Sequence, residues 1–194
     1  MNASDLQLNR VPPGQRVTTS FPVLHEGEVP DYRDLGQWNL RVFGLVEQEG
    51  EWSYEEFMAL PRRTFRNDIH CVTAWSRLDN EWEGVAVSAL LERVRPKPEA
   101  KFVMLHAEHG FTTNLPLEDF MRDTSFLAVK FGGEPLTPEH GFPVRMVVPH
   151  LYFWKSAKWL RGIEFTAADK PGFWERNGYH MYGDPWREQR YDFD

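Results

Sequence analysis

The 194 residues carry 22 basic and 29 acidic side chains, a net charge of −7, with 41% hydrophobic and 26% charged residues. That acidic balance argues against general nucleic-acid binding, which needs an electropositive footprint, and the proportions are those of one globular domain over 1–194. No run reaches transmembrane length, and Met1–Val11 shows neither a basic-then-apolar export segment nor twin arginines. A cytoplasmic protein with no membrane segment is expected.

Residues 1–30 are rich in Pro, Gly and polar side chains and read as extended chain on the domain surface. Residues 38–46 alternate as a strand does. Ser53 and Glu56 stand at capping-box spacing, which predicts a helix over 54–60 ended by Pro61. Residues 64–73 predict a strand with Cys71 near its end. Ser88 is placed to cap a helix over 89–94, stopped by Pro96 and Pro98. Strands follow at 101–107, 126–131, 144–148 and 159–165, with a helical turn at 117–121 and a chain reversal at Gly132-Gly133. The stretch 167–194 is irregular and aromatic. Short helices among many strands predict an α+β fold rather than regular βαβ winding.

Cys71 is the only cysteine, in the run Asp68-Ile69-His70-Cys71-Val72-Thr73-Ala74-Trp75-Ser76. It can neither close an internal disulfide nor complete a multi-cysteine zinc site. Its work is packing, nucleophilic attack, or one thiolate given to a metal held mostly by something else. The densest chemistry lies at 140–160, where His140, Arg145, Lys155 and Lys158 gather beside Ser156. Arg supplies a bidentate fork, Lys a point charge and Ser a neutral donor, a set suited to phosphate or another anion. A strand with solvated basic side chains has the same spacing.

His70, His106, His109, His140 and His150 could join Cys71 around zinc, but no pair has tight ligand spacing. His106 and His109, on a strand and its exit loop, would not share a face. The dinucleotide, phosphate-loop and Gly-x-Ser-x-Gly fingerprints are absent. A cysteine-dependent hydrolase would need a His and an Asn or Asp brought to Cys71 in space.

His140-Gly-Phe-Pro-Val-Arg145, a proline four residues on, and then Ser156-x-Lys158-Trp-Leu resemble the pterin-binding segment of the sulfite oxidase-type molybdopterin-dependent oxidoreductases. The cysteine before Ala74-Trp75 resembles that family's molybdenum-ligating cysteine. The likeness spans about residues 20–166. It implies a sulfite oxidase-like fold of mixed β-sheets with short peripheral helices, and a molybdopterin cofactor carrying molybdenum. It implies Cys71 as the one protein thiolate on the metal, and His140, Arg145, Ser156 and Lys158 as holders of pterin and phosphate. Phe21 and His25 match another cofactor-contacting loop, and His106 with Glu108 a further contact. His70 and Thr73 become candidate donors near the sulfur. Tyr152, Phe153 and Trp154 would border the metal, Tyr152 being the catalytic candidate beside Cys71.

The resemblance implies two-electron oxygen-atom transfer on a small sulfoxide, N-oxide or sulfite-like substrate. Sulfite oxidase follows its ligand cysteine with a basic pair where Trp75 and Ser76 stand here, and the aromatic 152–154 loop suits a neutral group better than a small dianion. The family's haem and dimerisation domains have no room in this length, so the resemblance is to a small stand-alone bacterial form. Electrons would come from an unidentified partner. A non-catalytic molybdopterin carrier on the same fold and the cysteine hydrolase are the competing readings.

Overall fold

Phe126–Phe131 buries alternate side chains on opposite faces, Phe126 and Ala128 on one and Leu127 and Val129 on the other. A strand apolar on both faces lies inside a layered structure, and the computed structural model, which describes residues 9–194, is layered in this way. The first sheet runs β1 (Arg16–Val17), β5 (Trp75–Ala86), β8 (Phe126–Phe131), β10 (Arg145–Val147). In it β4 (Arg62–His70) also pairs with β5, and β9 (Glu134–Pro135) with β8. The second runs β3 (Gly50–Ser53), β2 (Asn39–Gly44), β11 (Leu160–Thr166), β6 (Phe102–Ala107), β7 (Thr112–Pro116). β1 on β5 and β2 on β11 are parallel, and the other pairings are antiparallel.

The main core draws Val85, Leu127 and Met146 from the first sheet and Leu40, Leu105 and Ile163 from the second. A separate aromatic cluster, with Phe65, Trp82, Phe126 and Phe153, covers the other face of the first sheet and includes Cys71 and Trp75. The chain leaves the first sheet at β10 and enters the second at β11, so residues 148–159 cross between them. Among the described residues four short α-helices lie at the edges: α1 (Tyr54–Met58), α2 (Val87–Val94), α3 (Leu117–Phe120) and α4 (Phe173–Arg176).

The expected α+β fold of mixed sheets with short peripheral helices holds. The capping box forms, with Glu56 N–H donating to Ser53 Oγ at 3.2 Å and Ser53 N–H to Glu56 Oε2 at 2.8 Å. Ser88 does not cap α2: the helix starts at Val87, and Ala86 precedes it with no side-chain cap. The longest strand, β5, and the shorter β1, β3, β7 and β9 were not predicted. Of the predicted extended N-terminal segment, residues 1–8 lie outside the described residues. Residues 9–30 hold β1 and otherwise alternate turns and bends with irregular chain, and the Arg16 and Thr18 amides donate to the carbonyls of Ala74 and Ser76 at 3.0 and 2.9 Å.

Candidate active site

Cys71 closes the turn between β4 and β5. Its N–H donates to Trp75 O at 2.8 Å, and Ala74 N–H donates back to Cys71 O at 3.0 Å, with Ala74 in the left-handed region at φ +66°. Two distant side chains hold the turn from outside: Gln15 Nε2 donates to Cys71 O at 3.1 Å and Arg190 Nη1 to Val72 O at 2.6 Å. The sulfur, in a residue only 8% exposed, accepts the Thr73 hydroxyl at 3.2 Å. Burial pushes the thiol up from its ordinary value, while that hydroxyl and the Arg190 charge work the other way. Among the described residues its side-chain hydrogen-bond partner is Thr73, and no histidine bonds to it.

Arg145 is 2% exposed and bridges two carbonyls, donating from Nη1 to His140 O and from Nη2 to Ser156 O, both at 2.9 Å. Its guanidinium carbon lies 4.4 Å from the Phe153 ring centroid. Lys158 Nζ donates to Leu24 O and Glu139 O, both at 2.7 Å. Among the described residues neither cation has a carboxylate partner. Burial therefore pushes Arg145 down to about 9, and burial with the Arg145 charge pushes Lys158 down to about 7. His140 stacks on Phe21 with centroids 4.1 Å apart, its Nε2 3.2 Å from Phe21 O and its Nδ1 2.9 Å from Thr137 Oγ1. Gly141, at φ +109°, permits the cluster, because a Cβ there would stand 3.0 Å from Arg145 Cβ and 3.1 Å from Lys158 Cβ. Ser156 Oγ accepts the Val148 N–H at 2.9 Å.

One cavity of about 290 Å³ takes in Cys71, Thr73, Trp75, His140, Arg145, Ser156 and Lys158, with Phe21 and His25 from the N-terminal strap. Residues scattered over most of the chain thus share one space. Phe153 and Trp154 line it as expected. Tyr152 does not: it is fully buried behind that wall, its ring 5.0 Å from the Arg190 guanidinium, which corrects its placing beside the metal. His106 and Glu108 are corrected as well. His106 Nε2 sits 2.9 Å from Glu164 Oε2 on the second sheet, and Glu108 binds Arg161 and Tyr32. His70 faces Ser76, 2.8 Å from Nδ1 to Oγ, and burial pushes it down to about 4. The zinc reading falls too, since no three His, Cys, Asp or Glu side chains gather as a metal site among the described residues.

Sequence reasoning missed Phe111, Trp174 and Tyr179, which complete the aromatic wall. It also missed Arg190. The only signal was the aromatic density of 173–191, which carries no period.

One buried thiol sharing a cavity with a buried Arg145 and a half-buried Lys158, neither of them ion-paired among the described residues, is the inverse of a self-sufficient metal site. It suits an anionic cofactor that brings most of its own metal ligands. The chain belongs to the oxidoreductase molybdopterin-binding domain family, whose profile matches residues 26–174, and it is a molybdopterin-dependent oxidoreductase of sulfite oxidase type with molybdopterin and molybdenum as its cofactor. It is 63% identical over 188 residues to an uncharacterized oxidoreductase, YuiH, of Bacillus subtilis (97% of this chain, 95% of that one). It is 27% identical to a putative protein-methionine-sulfoxide reductase subunit, YedZ1, of Azospira oryzae (91% and 68%). It is 28% identical to the protein-methionine-sulfoxide reductase catalytic subunit MsrP of Campylobacter jejuni (75% and 54%). The fold matches the sulfane dehydrogenase SoxCD of Paracoccus pantotrophus with a TM-score of 0.69 at 24% identity, over 79% of this chain and 43% of that one. Among the described residues no helix is long and apolar enough to cross a membrane.

Proposed function

We propose that the protein removes an oxygen atom from a small neutral sulfoxide or N-oxide, with Cys71 as the thiolate on molybdenum. One observation carries this reading: the Cys71 sulfur shares its cavity with Arg145 and Lys158, neither of which makes an ion pair among the described residues. Arg145, Lys158, His140 and Ser156 fit the anionic pterin phosphate, and Phe21 and His25 fit the rest of the pterin. When bound, the molybdenum–dithiolene group supplies two-electron oxygen-atom transfer.

The protein's own side chains do the remaining work. The Thr73 hydroxyl stabilises a sulfur carrying negative charge. Gly141 lets the two cations close on one anion. Trp75 walls the cavity with an indole and brings no charge to the substrate, which favours a neutral oxygen donor over a dianion such as sulfite. The two methionine-sulfoxide reductase relatives support the same direction. No haem, flavin or iron–sulfur motif is evident in the sequence, so we assign electron supply to a partner protein. The single unpaired thiol favours the cytoplasm, which fractionation of the native host checks.

Protein made in a host that synthesises the cofactor is expected to hold about one molybdenum per chain and a pterin that fluoresces after oxidation, and to reduce sulfoxides or N-oxides with a reduced dye. Cys71→Ser retaining the metal and full turnover sinks the ligand assignment. Bound molybdenum with no turnover of any oxygen donor supports the carrier reading instead.

A further inference from the structure

The aromatic wall comes from two stretches distant in sequence, Trp154 on one and Trp174 with Tyr179 on the other. Behind it, and not lining the cavity, lies an ion pair with almost no exposure: Lys155 Nζ stands 2.6 Å from Glu175 Oε1. That same oxygen accepts the Trp154 indole N–H at 2.9 Å and the Thr113 hydroxyl at 3.0 Å. Lys155 also donates to Asn114 Oδ1 at 2.8 Å, Asn114 O at 3.1 Å and Met181 O at 2.6 Å.

A buried pair of this kind adds little or no net stability relative to an apolar pair of the same volume. What it does fix is direction. Glu175 accepts the Trp154 indole N–H, Tyr152 stacks on one face of that ring at 5.4 Å, and the Gly183 backbone packs close enough that a Cβ there would stand 2.8 Å from the indole. Trp154 then meets Tyr179 edge-on at 5.0 Å, and Tyr179 stacks on Trp174 at 4.9 Å. One carboxylate therefore orients three rings of the cavity wall.

We propose that Glu175, held in place by Lys155, is a specificity-determining positioning residue. By fixing the Trp154 indole it makes the site prefer oxygen donors that carry a flat apolar substituent over small ones. This rests on the oxygen-atom-transfer reading above. An aryl group gains from stacking against an oriented indole, whereas a methyl group does not.

The test compares methyl phenyl sulfoxide with dimethyl sulfoxide on loaded enzyme. Wild type is expected to favour the aryl substrate in kcat/KM. Lys155→Met with Glu175→Leu, which leaves no stranded charge, is expected to lower that preference about tenfold, mainly through KM of the aryl substrate. In a Trp154→Phe background the same pair of changes should have no further effect on the ratio. Equal losses on both substrates, or effects that add fully to Trp154→Phe, overturn the proposal and leave Glu175 a purely structural residue.

Trp154→Phe alone keeps the ion pair and must itself lower the ratio. If the apolar variant does not fold, an unchanged ratio in Trp154→Phe overturns the proposal. Should loaded wild type reduce neither sulfoxide, the oxygen-transfer reading fails separately. Calorimetric dissociation constants of the two sulfoxides on the same loaded proteins then decide the role of Glu175 alone.

Discussion

Arg145 and Lys158 show how a single side chain can carry a cost that only a ligand offsets. Arg145 reaches two carbonyls from separate nitrogens, Nη1 to His140 O and Nη2 to Ser156 O, a planar fork that the single nitrogen of a shorter lysine does not reproduce. Arg145→Lys is accordingly expected to cut the pterin content of purified protein about tenfold or more, read by fluorescence of the oxidised pterin. Unchanged content would count against Arg145 as an anchor. Lys158 gives a pH signature. Its folded value is pushed down to about 7, from 10.5 in the unfolded chain. Between these values the unfolded chain holds a proton that the folded chain has released, so apoprotein stability rises with pH across that window. Below about 7 both states are protonated and the full penalty is present. Lys158→Met is expected to flatten the climb of the urea midpoint between pH 7 and 10, and parallel curves for variant and wild type would remove Lys158 as its source.

At the scale of elements, legibility followed how much of an element's stability is local. The helix at Ser53 was readable because its cap is made by residues three apart, and Ser53→Ala is expected to cost about 1 kcal/mol in chemical unfolding. β5 was unreadable because Arg77, Asp79, Glu81 and Glu83 break its apolar pattern, and its hydrogen bonds go to β4, β8 and β1, which no local window contains. The same contrast divides the site. The 140–158 motif and Cys71 were legible through resemblance, whereas Trp174 and Tyr179 reach the cavity, and Arg190 the Cys71 turn, only by tertiary return of an aperiodic segment. His106 was misplaced because strand parity, set by pairing with β11, turns it toward Glu164. Gly84 reports on β5 directly. It sits where the β5–β8 register shifts, and a Cβ there would run into the Leu127 carbonyl. Gly84→Ala is expected to cost about 1–3 kcal/mol, and a loss below a few tenths would mean that the two strands can separate freely.

For the molecule as a whole, the cavity lies where the chain crosses from one sheet to the other. Arg145 belongs to β10 of the first sheet, and Lys158 comes two residues before β11 of the second. The main core is already shared between the sheets, so a single unfolding transition is expected. The cluster of unanswered positive charge at the crossing opposes folding until an anion joins it. An anionic cofactor binding only the folded chain, at about a hundred times its dissociation constant, contributes about 2.7 kcal/mol. For a chain of this size each kcal/mol moves the midpoint about 2–4 °C, so loading should raise it by about 5–10 °C. Scanning calorimetry of loaded and cofactor-free protein measures this, and Arg145→Met expressed under loading conditions should melt with the cofactor-free form. Two separate transitions, or a loaded protein melting no higher than the empty one, would show that the crossing segment is not where cofactor binding and folding are linked.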